Sequence, residues 1–124
     1  MKRLTLVSAL ALALALPGSA YGARSVVKAT QLNDWSPYKT VITKGDKVIW
    51  KNPTTDGHHN LKSYKGPSNV KGGWLPLKEF HPGARFAKTF NKTGKYYFRC
   101  PLHSTLVDGE CGGMCGFIKV RPPS

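Results

Sequence analysis

Acidic residues are scarce in this sequence, and so are the side-chain pairings that catalysis by acids, bases or nucleophiles requires. Asp and Glu number 6 against 19 Lys and Arg in a chain of 124 residues, which gives a formal net charge of +13. The sequence offers no paired-carboxylate centre and no nucleophile beside a base. We therefore expect that this protein is not an enzyme.

Blocks of like charge are also missing. The lysines of the chain after residue 23 are scattered from Lys28 to Lys119 without forming a run of five. Aromatic and basic residues do not alternate in the repeated pattern that single-strand nucleic-acid binders show. The composition therefore argues against a nucleic-acid partner, and it fits either a solvated basic surface or one that attracts an acidic or anionic partner.

The chain has one long hydrophobic run, Leu4–Leu16, and its 13 residues are fewer than the roughly 20 needed to cross a bilayer. A basic start precedes this run, and Pro17-Gly18 and small residues follow it, which is typical of a secretory signal peptide. We predict a leader over residues 1–22, with cleavage after Ala20 as the alternative.

Removal of this leader leaves one domain over residues 23–124, with 17 basic and 6 acidic residues and a net charge of +11. We expect this domain to be exported to the periplasm or the cell exterior, to lack a transmembrane segment and to be a monomer.

No apolar repeat of 3.6 residues is present after residue 23, so the pattern does not favour helices. Short apolar segments separated by glycine and proline turns predict an all-β sandwich of about seven strands in two sheets. The predicted strands are Ser25–Ala29, Thr40–Ile42, Lys47–Asn52, His58–Leu61, Arg85–Phe90, Lys95–Cys100 and Met114–Val120. Tyr64–Phe80 is predicted to be a long connection, with Trp74 as its buried anchor.

Cysteine is rare and odd in number, since the chain has only Cys100, Cys111 and Cys115. An exported protein normally pairs its cysteines, so the unpaired one is either reactive or bound to a metal. Strand alternation predicts that Cys100 points into the core with Phe98.

The same alternation predicts that His59 faces inward with Leu61, and that Met114 does so with Ile118. Together with His103, these residues and Cys100 would form a set of two imidazoles, one thiolate and one thioether. That is the ligand set of a blue-copper electron-transfer site.

At these residues the sequence resembles the cupredoxins, and among them the plastocyanin-like family. The segments that carry the resemblance are Lys44–Asn52, His59-Asn60, Pro82-Gly83, Phe86, Thr89-Phe90, Gly94–His103 and Gly113–Val120. The resemblance implies a Greek-key β-sandwich, one type 1 copper ion, and a one-electron carrier that cycles between Cu(I) and Cu(II) and exchanges electrons with partner redox proteins. The basic charge of the domain suits partners that are acidic or membrane-bound.

The resemblance also implies a role for each site residue. His59, Cys100 and His103 would be the equatorial copper ligands and Met114 the axial one. Asn60 would tie the His59 strand to the Cys100 segment. The ring edge of His103 would emerge through an apolar patch, which Leu102, Leu106 and Val107 supply in this sequence.

One interval departs from the family pattern, since the segment Ser104–Gly113 between the second histidine and the methionine is longer than usual. It contains Cys111. Two free thiols beside Cu(II) in an oxidising compartment would be easily oxidised, so we predict a Cys111–Cys115 disulfide that pins this long loop. The alternative is that Cys111 coordinates metal.

Two other functions remain open at this point. One is a copper chaperone or buffer that binds Cu(I), using Cys111 and Cys115. The other is a structural zinc site formed by Cys100, His103, Cys111 and Cys115, whose ligand types suit tetrahedral zinc. Substitution of His59 distinguishes the zinc site from a blue-copper site. Zinc binding should survive the substitution, because the zinc site does not use that residue, whereas blue-copper binding should be lost.

Overall fold

The computed structural model describes residues 22–68, 70 and 73–124, so the predicted leader over residues 1–22 lies outside the described residues except for Gly22. Nine strands are present in this part of the chain. They are β1 (Arg24–Ala29), β2 (Trp35–Ser36), β3 (Lys39–Thr43), β4 (Lys47–Lys51), β5 (His59–Lys65), β6 (Lys78–Phe80), β7 (Arg85–Thr89), β8 (Gly94–Val107) and β9 (Glu110–Arg121). Among the described residues, no helix has the length and apolar character that a membrane crossing requires.

The strands form two sheets, which confirms the prediction of an all-β sandwich. One sheet has four strands in the order β2-β1-β4-β7, and the other has five in the order β3-β9-β8-β5-β6. Pairs β1/β4 and β3/β9 are parallel, and the remaining pairs are antiparallel. The sequence predicted about seven strands because β2 and β6, with 2 and 3 residues, are too short to show alternation.

Aromatic side chains fill the space between the sheets around Trp50, which is fully buried on β4. The Phe98 ring from the opposite sheet meets it edge-on, with centroids 5.4 Å apart, and the Phe90 ring lies 6.3 Å away. Such tilted and edge-on contacts add to the stabilisation from burial alone. The two sheets are therefore joined at the strand that carries Cys100.

Trp74 anchors the connection between β5 and β6, as the sequence predicted. Its ring contacts Trp50, Phe90 and Tyr96. Its Nε1–H donates a hydrogen bond of 3.0 Å to the Lys65 carbonyl. The connection is therefore fixed to the core by a residue that satisfies its own polar atom.

The segment Ser104–Gly113, predicted to be a long loop, is a β-hairpin instead. Thr105 pairs with Gly112, and Val107 with Glu110. At the tip, Asp108 and Gly109 both have positive φ, 51° and 79°. This is the conformation of a two-residue hairpin turn, for which Asp-Gly is a favoured sequence.

Asn52 holds together the segment that leads into β5. The side chain is buried, and its Nδ2 donates hydrogen bonds of 2.7 Å to the carbonyls of both Gly57 and Phe80. Its Oδ1 accepts hydrogen bonds from the backbone N–H and the hydroxyl of Thr54. Asn52 therefore fixes Gly57, two residues before His59, and Phe80, the residue that pairs with His59 on the neighbouring strand.

We predict that Asn52→Ala lowers the free energy of unfolding of the apoprotein by about 2 to 4 kcal/mol, because the buried Phe80 carbonyl and the partly buried Gly57 carbonyl lose their donor. Urea unfolding measures this change. Asn91→Ala, at an exposed position, is the matched control and should change stability by less than about 0.5 kcal/mol. Equal effects of the two substitutions would contradict this role of Asn52.

Candidate metal centre

Three adjacent strands of the five-stranded sheet supply the predicted site residues. His59 begins β5, Cys100 and His103 lie in β8, and Met114 lies in β9. Strand β8 is in the middle, paired with β5 on one side and β9 on the other. The sheet order therefore brings together residues that are far apart in the sequence.

Three donor atoms converge at this place. The Nδ1 atoms of His59 and His103 are 3.2 Å apart. The Cys100 Sγ lies 3.5 Å from His103 Nδ1 and 3.9 Å from His59 Nδ1. His59 and Cys100 are completely buried, whereas His103 is half-buried. The cluster thus has a closed interior and one side chain that reaches the surface.

A change of register between β8 and β9 forms the cluster. Arg99 pairs with Cys115 and Ser104 with Gly113, so the four residues from Cys100 to His103 oppose the single residue Met114. Such a bulge bends the strand and redirects its side chains. It allows both Cys100 and His103 to face the site, and Met114 is fully buried opposite them.

Ser104 closes this bulge, a role that sequence reasoning missed. Its hydroxyl donates a 2.6 Å hydrogen bond to the Cys100 carbonyl and accepts one of 3.1 Å from Arg99 Nη1. Arg99 and Ser104, the two residues that flank the bulge, are thereby tied together through their side chains. Nothing in the sequence indicated the contact between Arg99 and Ser104.

Glycine is required on β9 next to Met114. Gly113 has φ +94°, and a Cβ there would collide with the His103 carbonyl oxygen. At Gly116, a Cβ would come within 2.5 Å of the Phe98 ring. The two glycines therefore let β9 approach the bulge and the core closely on either side of Met114.

Asn60 ties the His59 strand to the Cys100 segment, and it does so through its backbone. The Asn60 N–H lies 3.3 Å from Cys100 Sγ and donates to it. Hydrogen bonding around the cysteine sulfur is one of the factors that set the potential of a blue-copper site. The contact thus gives the protein a means of tuning the sulfur.

Cys111 and Cys115 form a disulfide, with their Cα atoms 6.1 Å apart, which confirms the predicted pairing. It encloses Met114 in a short covalent loop. Cys100 is the one free cysteine of the sequence. Because both sulfurs of the pair are occupied, neither the zinc site that would use them nor a Cu(I) site built on them fits this structure.

The surroundings of His59 favour the neutral form of its ring, which is the form that binds metal. Burial is the main cause that lowers the pKa of His59 below 6.5, and the neighbouring His103 lowers it further, while the backbone of Thr30 opposes the change in part. A neutral imidazole keeps a lone pair for a metal, whereas a protonated ring has none. The site is therefore prepared for a cation.

The chemistry of the donor set fits copper. The cluster contains two imidazoles and one thiol within 4.8 Å of one another, and the described residues place no carboxylate in it. Thiolate and thioether sulfur favour Cu(I), and imidazole suits both oxidation states of copper. His59, Cys100, His103 and Met114 are arranged as a type 1 copper site.

Residues 24–121 match the family described as copper binding proteins, plastocyanin/azurin family. This chain belongs to that family. Copper is accordingly the cofactor of the cluster, as the sequence predicted. Among curated protein sequences, none matches this plastocyanin/azurin-family protein.

Solved structures share the fold of this family member. A copper-containing nitrite reductase from Thermus scotoductus SA-01 matches 82% of the chain at 23% identity and a TM-score of 0.58, although the chain spans only 23% of that reductase chain. A purple cupredoxin from Nitrosopumilus maritimus matches 78% of the chain and is itself 99% covered, at 22% identity and a TM-score of 0.55. An oxidised amicyanin variant is 22% identical over 81% of the chain and 83% of its own length, with a TM-score of 0.59. These likenesses confirm the cupredoxin fold.

We predict that Gly113→Ala weakens copper retention and destabilises the apoprotein by about 1 to 3 kcal/mol, because alanine is strained at this φ and its methyl group displaces the His103 carbonyl. Chelator competition and urea unfolding measure the two effects. Gly112→Ala is the matched control, since its Cβ would meet nothing closer than the Thr105 hydroxyl at 3.6 Å. Similar copper loss in both variants would show that His103 does not depend on Gly113.

We predict that the apoprotein loses stability as the pH falls through 6.5. The unfolded chain takes up a proton on His59 with a pKa near 6.5, whereas in the folded protein this pKa is lower. Below pH 6.5 protonation therefore favours unfolding, and above it this group adds no further pH dependence. Urea unfolding at a series of pH values should show a shallower decline for His59→Gln, and an unchanged slope would contradict the assignment.

Proposed function

We propose that this protein is an exported, soluble one-electron carrier whose copper cycles between Cu(I) and Cu(II), with His59, Cys100 and His103 as equatorial ligands and Met114 as the axial ligand. One observation carries the proposal: two imidazole nitrogens and one thiol sulfur converge in a buried cluster with Met114 buried opposite them.

Copper, when bound, supplies the one-electron couple. The protein's part is to keep the donor atoms in place while the charge changes. His59 is held by the Asn52 network, the Cys100 segment by Ser104, and Met114 lies within the Cys111–Cys115 disulfide. A site whose donor atoms are held in place requires little rearrangement for electron transfer, which suits a carrier.

His103 offers the route for the electron. It is the one member of the histidine-cysteine cluster that is not fully buried, and the exposed apolar side chains Leu102, Leu106 and Val107 are its near neighbours in β8. An apolar rim lets a partner protein exclude water from the contact and approach the ring edge closely. The domain over residues 23–124 is basic, with a net charge of +11, which supports an acidic redox partner.

A carrier is favoured over an enzyme by the donor set. All four proposed ligands are protein side chains, which leaves no obvious open coordination position for a substrate. Export is supported by the sequence of residues 1–22 and by a disulfide, which persists in oxidising compartments.

The test is to load the protein with Cu(II) and follow its visible spectrum through anaerobic reduction and reoxidation. We expect an intense thiolate-to-copper band that bleaches and returns reversibly, and that is absent from Cys100→Ser. A protein that holds Cu(I) but releases Cu(II) would instead be a copper buffer or chaperone.

The electron route has its own matched pair of variants. We expect Leu102→Ser, at a position 56% exposed, to slow electron exchange with an acidic redox protein in stopped-flow measurements at least several-fold. Leu77→Ser changes the same side chain at a position 57% exposed, in the connection before β6, and should leave the rate unchanged. Equal rates for the two variants would mean that electrons do not leave through the His103 rim.

A further inference from the structure

A second pair of histidines lies on the surface next to the copper centre. His58 immediately precedes β5 and His81 immediately follows β6. Because His59 pairs with Phe80 in this antiparallel ladder, the next residues outward, His58 and His81, stand opposite each other. Side chains alternate along a strand, so His58 points away from the interior that His59 faces.

The surface pair has nearly the same geometry as the buried pair. The Nδ1 atoms of His58 and His81 are 3.0 Å apart, against 3.2 Å for His59 and His103. In both pairs the ring centroids are 5.0 Å apart, with interplanar angles of 73° and 69°. The surface thus repeats the imidazole half of the copper centre.

The separation of these nitrogens suits chelation of one ion. Metal–imidazole bonds of about 2.0–2.1 Å place two nitrogens about 2.9 Å apart at a right angle and about 3.3 Å apart at the tetrahedral angle. The observed 3.0 Å lies between the two. Without metal, one shared proton can join the rings, and a metal ion would replace that proton.

Glu79 lies beside the His81 ring. Its Oε2 lies 3.5 Å from His81 Nε2, on the side of the ring opposite to the nitrogen that faces His58. A carboxylate that accepts the Nε2–H leaves the Nδ1 lone pair free, which is the usual arrangement around a metal-bound histidine. Glu79 is one of only six acidic residues in this basic chain.

We propose that His58 and His81 form a second, solvent-facing copper site that binds one Cu²⁺ ion through their Nδ1 atoms, with Glu79 as the positioning residue for His81 and water completing the coordination. Imidazole ligands bind Cu²⁺ more tightly than the other divalent metals of the first transition row. The proposal does not depend on the electron-carrier function.

The experiment adds Cu²⁺ to protein that already carries one copper per chain. We expect calorimetry to show that one further ion binds. Its EPR signal should be separate from that of the first copper and should be split by two nitrogen donors. His81→Asn should weaken this second binding at least tenfold. Absence of a second bound ion, or equal affinity in His81→Asn, would overturn the proposal.

Carboxylate variants keep the test independent of folding. Glu79 is 82% exposed, so Glu79→Gln leaves the core intact, and we expect it to weaken second-site binding by about tenfold. Glu110→Gln makes the same change at the exposed base of the β8–β9 turn and should leave the second binding unchanged. If both variants bind the second ion as the parent does, Glu79 does not position His81.

Discussion

The change of register between β8 and β9 determines the position of the metal donors. Four residues, Cys100 to His103, are accommodated opposite Met114 alone. A regular ladder would send alternate side chains of β8 to opposite faces of the sheet, and Cys100 and His103, three positions apart, would then point away from each other. The bulge brings both to one side, and the hydrogen bonds of Ser104 and the absence of a side chain at Gly113 keep it in that form.

The buried and the exposed residues of the site have different roles. His59, Cys100 and Met114 lie inside the sandwich, where the surrounding core restricts their motion and excludes water. His103 is half-buried and lies at the boundary between this interior and the surface. The same β5–β6 ladder that turns His59 inward turns His58 outward, so one pair of strands serves both the buried centre and the surface histidine pair.

Much of the fold and of the site follows from local patterns. Alternation correctly assigned Cys100, His59 and Met114 to the core, because a half-buried strand repeats every two residues. It could not find β2 or β6, whose few residues contain no repeat. The hairpin after His103 was missed although Asp108-Gly109 is a favoured turn sequence, since the flanking residues Thr105 to Val107 and Glu110 to Gly112 do not alternate in hydrophobicity.

The sequence by itself determined the chemistry of this protein: a basic composition, an odd cysteine, and two imidazoles, one thiol and one thioether in the order of a copper-binding family. These features depend on residue type and spacing, which can be read directly from the sequence. Only the tertiary structure decided which residues hold the copper ligands in place and which histidines form the second pair. The contacts of Asn52 with Phe80, of Gly113 with His103 and of His58 with His81 join residues from different strands, and such contacts depend on sheet order and register, which no local pattern encodes.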